Sequence, residues 1–311
     1  MQAFLFPGQG SQYAGMAADL AERFPEAREV VDRANAALGF PLSDIMFSDN
    51  ERAAERLRQT ENTQPALYVH SLAAHAVLAA RGQTCGVAAG HSLGEWSALA
   101  AMGAVSLEDG LAAVRRRGEL MAQAGDVRPG TMAAVLGMDS EDLERICTTA
   151  SQDGEGVVVP ANYNDPGQIV ISGDRPAVQR ASDAARQAGA KRVISLPVSG
   201  AFHSPLMDFA VDGLAATLQN LTITAPRVPV VLNVTAEPTT DPDTIRDMLL
   251  EQLTAPVRWA QSLEAINAMG VTRYVEVGAG KVLAGLAKRT LGRQTETATA
   301  GKADEIDGLA A

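Results

Sequence analysis

The sequence predicts an α/β protein in two parts, and three features support this prediction. Apolar strands at residues 3–6 and 85–89 each lead through a glycine-containing turn into a segment with helical spacing, the pattern of parallel βα units. Residues 131–198 follow a different order: strand, helix, two strands, helix and strand. Patterns of the first kind then return. We therefore expect a discontinuous large domain of residues 1–128 and 199–311 and an inserted small domain of residues 129–198.

The large domain is organised around the pentapeptide Gly90-His91-Ser92-Leu93-Gly94. It matches G-x-S-x-G and stands between an apolar strand and a helix, where a serine is held in a strained turn with its hydroxyl exposed. The glycines permit close packing, and the N–H groups that begin the helix favour a developing oxyanion. An ordinary glycine turn is the alternative, since this pattern is frequent by chance. The context favours an α/β-hydrolase-like large domain with Ser92 as nucleophile.

A second glycine turn, Gly8-Gln9-Gly10-Ser11-Gln12, follows the first strand. The dinucleotide fingerprint G-x-G-x-x-G fails because Tyr13 occupies the third glycine position, and no phosphate-loop lysine follows. We expect a helix to begin near Ser11 or Gln12. The turn is either a plain βα connection or a backbone N–H donor beside the nucleophile.

Two further helices carry candidate residues. Pro65 fits the first turn of a helix that continues through Ala80, whose two histidines have the wrong spacing for a metal site and are expected to pack or face solvent. Ser106 is an N-cap for a helix with three consecutive arginines at 115–117. These fan over about 200°, so we expect Arg115 and Arg116 to be solvated and one arginine to face the active site.

The inserted segment has the βαββαβ order of a ferredoxin-like unit, which we expect to lie over the mouth of the large sheet, where ligands bind. Its strands are expected at 131–137, 157–162, 168–172 and 192–196, and its helices at 140–150 and 175–188. The loop that follows contains His203. Of the four histidines, only this one is placed to act as general base for Ser92. No Asp or Glu clearly orients it, unlike the usual hydrolase arrangement.

Composition excludes several classes of function. A net charge of −11 argues against nucleic-acid binding, which needs a basic face. No apolar run is long enough to span a membrane, and no signal peptide is recognisable, so we expect a cytoplasmic protein. The two cysteines lack metal-ligand spacing and indicate reduced thiols. We expect poor order in the polar tail from about residue 291.

Taken together, the motifs resemble those of malonyl-CoA:acyl carrier protein transacylases, and the resemblance extends to about residue 290. The five that carry it are Gly8-Gln9-Gly10-Ser11-Gln12, Gly90-His91-Ser92-Leu93-Gly94-Glu95, Arg117-Gly118, Gly200-Ala201-Phe202-His203-Ser204 and Glu276-Val277-Gly278. The resemblance implies ping-pong transfer of malonyl from malonyl-CoA to the phosphopantetheine thiol of holo acyl carrier protein, through an ester on Ser92. This would supply malonyl groups for fatty acid biosynthesis.

The resemblance also implies roles for individual residues. His203 would activate Ser92, with the carbonyl of Gln252 in place of an orienting carboxylate. The backbone N–H groups of Gln9 and Leu93 would form the oxyanion hole. Arg117 would pair with the free malonyl carboxylate. The remaining substrate-binding candidates are Asn162, Phe202, whose bulk would exclude an α-methyl branch, and His91.

The resemblance implies no bound cofactor or metal, with coenzyme A entering and leaving only as part of the substrate. We expect a monomer. Carrier proteins are acidic, as this chain is, so docking requires a local basic patch, for which the candidates by position are Arg115, Arg116, Lys191, Arg192, Lys281 and Lys288. Two other classes remain open, a serine hydrolase with water as acceptor and a non-catalytic docking module for carrier protein.

Overall fold

The computed structural model describes residues 1–309, which form two β-sheets packed with helices. The strands are β1 Gln2–Phe6, β2 Val87–Gly90, β3 Gly130–Leu136, β4 Val158–Asp165, β5 Gln168–Asp174, β6 Arg192–Ser195, β7 Val230–Val231, β8 Pro238–Thr239, β9 Arg273–Glu276 and β10 Glu296–Thr299. The α-helices are α1 Ala18–Arg23, α2 Pro25–Leu38, α3 Ser43–Met46, α4 Glu51–Arg58, α5 Thr60–Ala80, α6 Leu93–Ala101, α7 Leu107–Ala122, α8 Ala124–Val127, α9 Ser140–Gln152, α10 Arg175–Gln187, α11 Val211–Gln219, α12 Pro242–Glu251, α13 Trp259–Ala268, α14 Val282–Leu291 and α15 Ala303–Leu309. A 3₁₀ helix spans Pro205–Ala210.

The larger sheet has the strand order β10-β9-β1-β2-β7-β8 and is parallel except for the β7–β8 pair. Side chains alternate between its faces, as the strand period requires. Phe4 and Phe6 of β1 pack into one core, and Ala3 and Leu5 pack into another. Both faces are therefore covered, which explains why its inner strands are almost wholly apolar.

The smaller sheet is antiparallel, with strand order β4-β5-β3-β6. One face packs on α9 and α10 in a separate core, while Met132, Ala134 and Val170 on the other face belong to the main core. This face of the smaller sheet therefore packs against the main core. Its edge strand β4 also bonds to the segment before α13, through Tyr163 N–H to Val257 O (2.9 Å) and Val257 N–H to Ala161 O (2.8 Å).

The helix expected at Ser11 does not form there. The chain instead runs through turns until α1 begins at Ala18. The reason is local, because Gly10 has φ +100° and Gly15 has φ +82°, both outside the right-handed helical region. The segment lies as a loop beside the serine turn, where a Cβ on Gly8 would be 2.2 Å from the carbonyl oxygen of His91.

Helix α5 begins at Thr60, so Pro65 lies inside it rather than in its first turn as expected. A proline lacks the N–H that would bond to the carbonyl four residues earlier, here that of Glu61. Arg115 of α7 supplies the missing donor, with Nη1 2.8 Å from Glu61 O. Arg115 also bonds to Asn62 Oδ1 (2.9 Å), so it is not the solvated residue that the sequence suggested.

The expectation of a poorly ordered tail from about residue 291 is wrong for the described residues. Strand β10 pairs in parallel with β9 at the sheet edge, and α15 follows. Gly301 O lies 2.8 Å from Nε2 of buried His70, and Asp307 forms ion pairs with Arg23 and Arg81. Composition misled here because main-chain pairing along an edge strand requires little apolar sequence. Residues 310 and 311 lie outside the described residues.

None of the helices in the described part of the chain is both long and apolar enough to cross a membrane.

Candidate active site

Ser92 lies at the carboxyl end of β2, in the turn that begins α6. Its backbone has φ +51° and ψ −106°, a sparsely populated conformation that is costly for a residue with a side chain. The flanking glycines are required by contact, since a Cβ on Gly90 would lie 1.9 Å from the backbone of Gly94, and one on Gly94 would lie 2.0 Å from Phe6 O. The turn therefore projects the serine hydroxyl out of the sheet, as the sequence predicted.

His203 lies against this serine, with Nε2 2.8 Å from Ser92 Oγ. Its other ring nitrogen, Nδ1, is 2.8 Å from the carbonyl oxygen of Gln252. Nδ1 therefore carries the proton and donates a hydrogen bond to the carbonyl, which leaves Nε2 free to accept a hydrogen bond from the serine hydroxyl. Burial, with the positive charge of Arg117 adding to it, lowers the His203 pKa to about 3. The histidine is thus neutral and available as a base throughout the physiological range.

Arg117 of α7 is 1% exposed and reaches the same point. Its Nη2 donates to Ser92 Oγ (3.1 Å) and to Gln252 Oε1 (2.9 Å), and its Nη1 donates to Gln64 Oε1 (2.8 Å). Its Nε has no partner among the described residues. Burial lowers the Arg117 pKa to about 10, so the guanidinium stays charged at neutral pH. A buried cation with spare hydrogen-bonding capacity beside a serine suits an anionic acyl group.

Of the two residues expected to form the oxyanion hole, Leu93 directly follows Ser92 and Gln9 lies in the loop beside the serine turn. Leu93 is the first residue of α6, and its N–H has no acceptor among the described residues. Gln9 is exposed and follows Gly8, whose backbone abuts the carbonyl of His91.

The other predicted substrate-binding residues form no hydrogen bond to Ser92 or His203 in the described structure. Nε2 of His91 lies 2.8 Å from Asn164 Oδ1, and its ring packs at 5.5 Å from that of Trp259. Asn162 is 7% exposed in β4, where its backbone pairs with β5 and bridges to Val257. Phe202, adjacent to His203, packs into the main core.

Four polar residues at the site were given no role by the sequence analysis. Gln64 holds Arg117, Asn164 holds His91, Asn233 bonds to the serine turn, and the Glu95 carboxyl bonds to Asn233. Glu95 stood within a recognised motif, but the motif gave it no function. The others lie far from the motifs in sequence and only folding brings them together, so no spacing pattern was available to find them.

The fold and the site define an acyl transferase. A family model described as the acyl transferase domain matches residues 3–306, and the chain belongs to that family. Within it, the chain is 46% identical over 287 residues to the malonyl CoA-acyl carrier protein transacylase of Bacillus subtilis, covering 92% of this chain and 89% of the relative. This confirms the resemblance seen in the motifs.

Solved structures agree over the whole fold. An acyl carrier protein S-malonyltransferase from Vibrio cholerae has a TM-score of 0.94 at 41% identity, covering 99% of each chain. A malonyl-transacylase in complex with a type II PKS acyl-carrier protein has a TM-score of 0.93 at 39% identity, covering 98% of this chain and 97% of that one. The mixed α/β architecture, with its parallel sheet and flanking helices, is therefore shared with these transferases.

Proposed function

We propose that this protein transfers the malonyl group from malonyl-CoA to the phosphopantetheine thiol of holo acyl carrier protein, through an ester on Ser92. The observation that carries the proposal is the position of buried Arg117, hydrogen-bonded to the oxygen of a serine that also bonds to His203. A general esterase has no use for a buried cation at its nucleophile. The names of the transacylase relatives point to the same substrate pair.

In the first half-reaction, Ser92 Oγ attacks the thioester carbonyl carbon while Nε2 of His203 takes the hydroxyl proton. The carbon–sulfur bond then breaks, and the same proton passes to the sulfur of departing coenzyme A. The carboxylate of the bound malonyl group is three bonds from Oγ. It therefore falls within reach of the Arg117 guanidinium, which we assign to bind it in two parallel hydrogen bonds.

In the second half-reaction, the phosphopantetheine thiol takes the position that coenzyme A left. His203 accepts the thiol proton as sulfur attacks the ester carbonyl, and returns it to Ser92 Oγ when the carbon–oxygen bond breaks. In both halves, negative charge develops on the carbonyl oxygen. We assign its stabilisation to the N–H groups of Leu93, at the start of α6, and of Gln9. No metal or cofactor enters this scheme.

The architecture that we propose for this chemistry is a large α/β-hydrolase-like domain, formed by residues 1–128 and 199–311, and a ferredoxin-like domain of residues 129–198. The strand order β4-β5-β3-β6 with α9 and α10 on one face supports the second label. His91 bonds to Asn164 of β4, and Asn162 of the same strand bridges through its backbone to Val257. We assign His91 and Asn162 to shaping the acyl site rather than to chemistry. Phe202 would limit branching at the acyl α-carbon.

Intact-protein mass spectrometry tests the proposal. Mixing the protein with malonyl-CoA should add one malonyl group to Ser92, and addition of holo acyl carrier protein should move that group to the carrier. A fatty acid carrier and a polyketide carrier compared in parallel would show which pathway is served. Release of free malonate at the same rate without carrier would instead favour the serine hydrolase, and no adduct at all would favour a docking module.

We propose that the protein acts as a cytoplasmic monomer that docks the acidic carrier through basic residues. Arg115 is now a poor candidate for docking, since its guanidinium bonds to Glu61 and Asn62. The remaining candidates are Arg116, Lys191, Arg192, Lys281 and Lys288. Reversing their charge should raise the KM for carrier protein and leave loading from malonyl-CoA unchanged.

A further inference from the structure

The side chain of Asn233 spans the serine turn. Asn233 is fully buried two residues beyond β7. Its Oδ1 accepts the backbone N–H of Ser92 at 2.7 Å, and its Nδ2 donates to the carbonyl of Gly90 at 2.7 Å. One amide thus joins the residue before the turn to the serine itself. The Nε2 of Gln252 bonds to Ser92 O at 3.1 Å, so the serine peptide is held on both sides.

Glu95 in turn fixes Asn233. Glu95 is fully buried in the first turn of α6, and its Oε2 accepts the backbone N–H of Asn233 at 2.5 Å. Its Oε1 has no partner among the described residues. A buried carboxyl with one oxygen unpaired is costly to keep, and helix formation does not require it. The contact that it does make leads directly to the residue that holds the nucleophile.

The serine backbone needs this support. With φ +51° and ψ −106°, Ser92 lies in a region that costs of order 1–3 kcal/mol and persists only when its surroundings over-determine it. The flanking glycines allow the conformation but do not enforce it, since glycine is the most permissive residue. Hydrogen bonds to the peptides before and after Ser92 can enforce it. Asn233 holds the preceding peptide through Ser92 N–H, and Gln252 holds the following one through Ser92 O.

We propose that Asn233 and Glu95 are positioning residues, which hold the Ser92 hydroxyl at the angle needed for attack and proton transfer to His203 without touching the substrate. The proposal rests on Ser92 being the nucleophile of the proposed function. It separates two tasks at the site: Arg117 selects the acyl group, whereas Asn233 and Glu95 aim the serine at any acyl group.

The test compares single-turnover loading of Ser92 from malonyl-CoA and from acetyl-CoA. Asn233→Ala should lower both loading rates by about 10²-fold, the usual cost of misplacing a reacting atom by 1 Å, with little change in KM. The malonyl-to-acetyl ratio should stay within about twofold of wild type. Loss of malonyl loading alone, or wild-type rates for both donors, would overturn the proposal.

Variants of Glu95 provide a second, independent test of the positioning role. Glu95→Ala should slow both donors as Asn233→Ala does, and Glu95→Gln should recover most of that loss, because its amide oxygen can still accept the Asn233 N–H. The double variant Glu95→Ala/Asn233→Ala should be no slower than Asn233→Ala, since both residues act through one connection. If the fold reductions in loading rate of the two single variants multiply in the double variant, the two residues act separately, contrary to the proposal.

Glu276 is a matched control. It is also a fully buried carboxyl with one oxygen unpaired and the other accepting a backbone N–H, that of Ala284 at 2.8 Å, but it supports α14 rather than the serine turn. Glu276→Ala should destabilise the fold and leave loading per folded molecule unchanged. If it slows both donors as much as Glu95→Ala, general loosening rather than positioning explains the effect.

Two further measurements distinguish failure of the positioning role from misfolding of a variant and from failure of the proposed function. If Asn233→Ala does not fold, Asn233→Asp keeps the acceptor for Ser92 N–H, loses the donor to Gly90, and should still slow both donors about tenfold. Labelling of Ser92 by phenylmethylsulfonyl fluoride, read by intact mass, reports serine reactivity without malonyl-CoA. Absence of malonyl loading in wild type would overturn the proposed function, whereas undiminished sulfonylation of the Asn233→Ala and Glu95→Ala variants would overturn the positioning role.

Discussion

The carbonyl oxygen of Gln252 lies 2.8 Å from Nδ1 of His203, where a Ser-His-Asp triad has a carboxylate. A neutral carbonyl fixes the tautomer and direction of the imidazole but provides no negative charge to stabilise an imidazolium. The nearby charge is instead the positive one of Arg117, and the His203 pKa falls to about 3. The arrangement therefore favours a neutral base that holds the proton only briefly, in a site adapted to an anionic acyl group.

The first prediction concerns the nucleophile and its base. Ser92→Ala should abolish the malonyl adduct, because no other hydroxyl is bonded to His203 Nε2 in the described structure. His203→Ala should slow loading by about 10²–10⁴-fold, the usual value of a positioned base. Intact mass against time measures both. Persistent labelling of the Ser92→Ala variant at another residue would contradict the assignment.

The second prediction concerns acyl selection by Arg117. A buried, hydrogen-bonded ion pair that loses one partner is worth roughly 2–5 kcal/mol, so Arg117→Ala should cut malonyl loading by about 30-fold or more. Acetyl loading should change little, because acetyl has no carboxylate. Arg117→Lys should fall between, since a lysine lacks the planar fork.

The measurement is the ratio of malonyl to acetyl loading rates, with Arg116→Ala as the control. Arg116 is the neighbouring arginine, its side chain is 45% exposed, and its ion pair is with Glu119 on the same helix. An unchanged ratio in Arg117→Ala would mean that another residue recognises the carboxylate.

The third prediction concerns pH. Because burial lowers the His203 pKa from 6.5 to about 3, its neutral fraction is constant above about pH 5. The loading rate should therefore change little between pH 5 and 7, where an ordinary histidine would lose more than tenfold. A rate that halves near pH 6.5 would contradict this.

The lowered pKa of His203 also makes the free energy of unfolding depend on pH. The stabilising contribution of neutral His203 is present above pH 6.5 and is lost as pH falls toward 3, since the unfolded chain then binds the extra proton.

The fourth prediction concerns Glu95, whose pKa burial raises from 4.5 to about 8. Between these values the folded protein keeps a proton that the unfolded chain has released, so the favourable contribution present below pH 4.5 is lost as pH rises through 8. A glutamine at position 95 does not titrate, so the stability of Glu95→Gln does not fall in this way as pH rises. Its free energy of unfolding, relative to wild type, should rise from pH 5 to pH 8 by about 1 kcal/mol or more. Urea denaturation at the two pH values measures it, and a constant difference would contradict it.

The fifth prediction compares two adjacent arginines. Arg115→Ala leaves the Glu61 carbonyl opposite Pro65 without its donor, which should cost about 1–3 kcal/mol of stability. Arg116→Ala removes only an exposed pair and should cost about 0.5 kcal/mol or less. Equal losses of stability in the two variants would show that the contacts of Arg115 do not stabilise the fold.

Several features were predictable because their cause is local in sequence. The serine turn follows from two glycines between an apolar strand and a helix, and Ser106 caps α7 as its side-chain chemistry requires. The strands and helices of residues 131–198 fell within a few residues of their predicted bounds, because alternation and helical spacing are properties of short windows. By contrast, the start of α5 five residues before Pro65 depended on a donor from another helix.

The sequence by itself determined the α/β class, the order of the elements in residues 131–198 and the serine and histidine that meet at the site. Helical geometry separates the three arginines at 115–117 but leaves open which one is buried. The family resemblance pointed to Arg117, and the packing of α7 on α5 is what buries it. Only the tertiary structure brought Gln64 to Arg117 and Asn233 to Ser92, and added β10 to the sheet edge. The physical reason is the same in each case: hydrogen bonds between distant segments depend on the folded path, which no local spacing encodes.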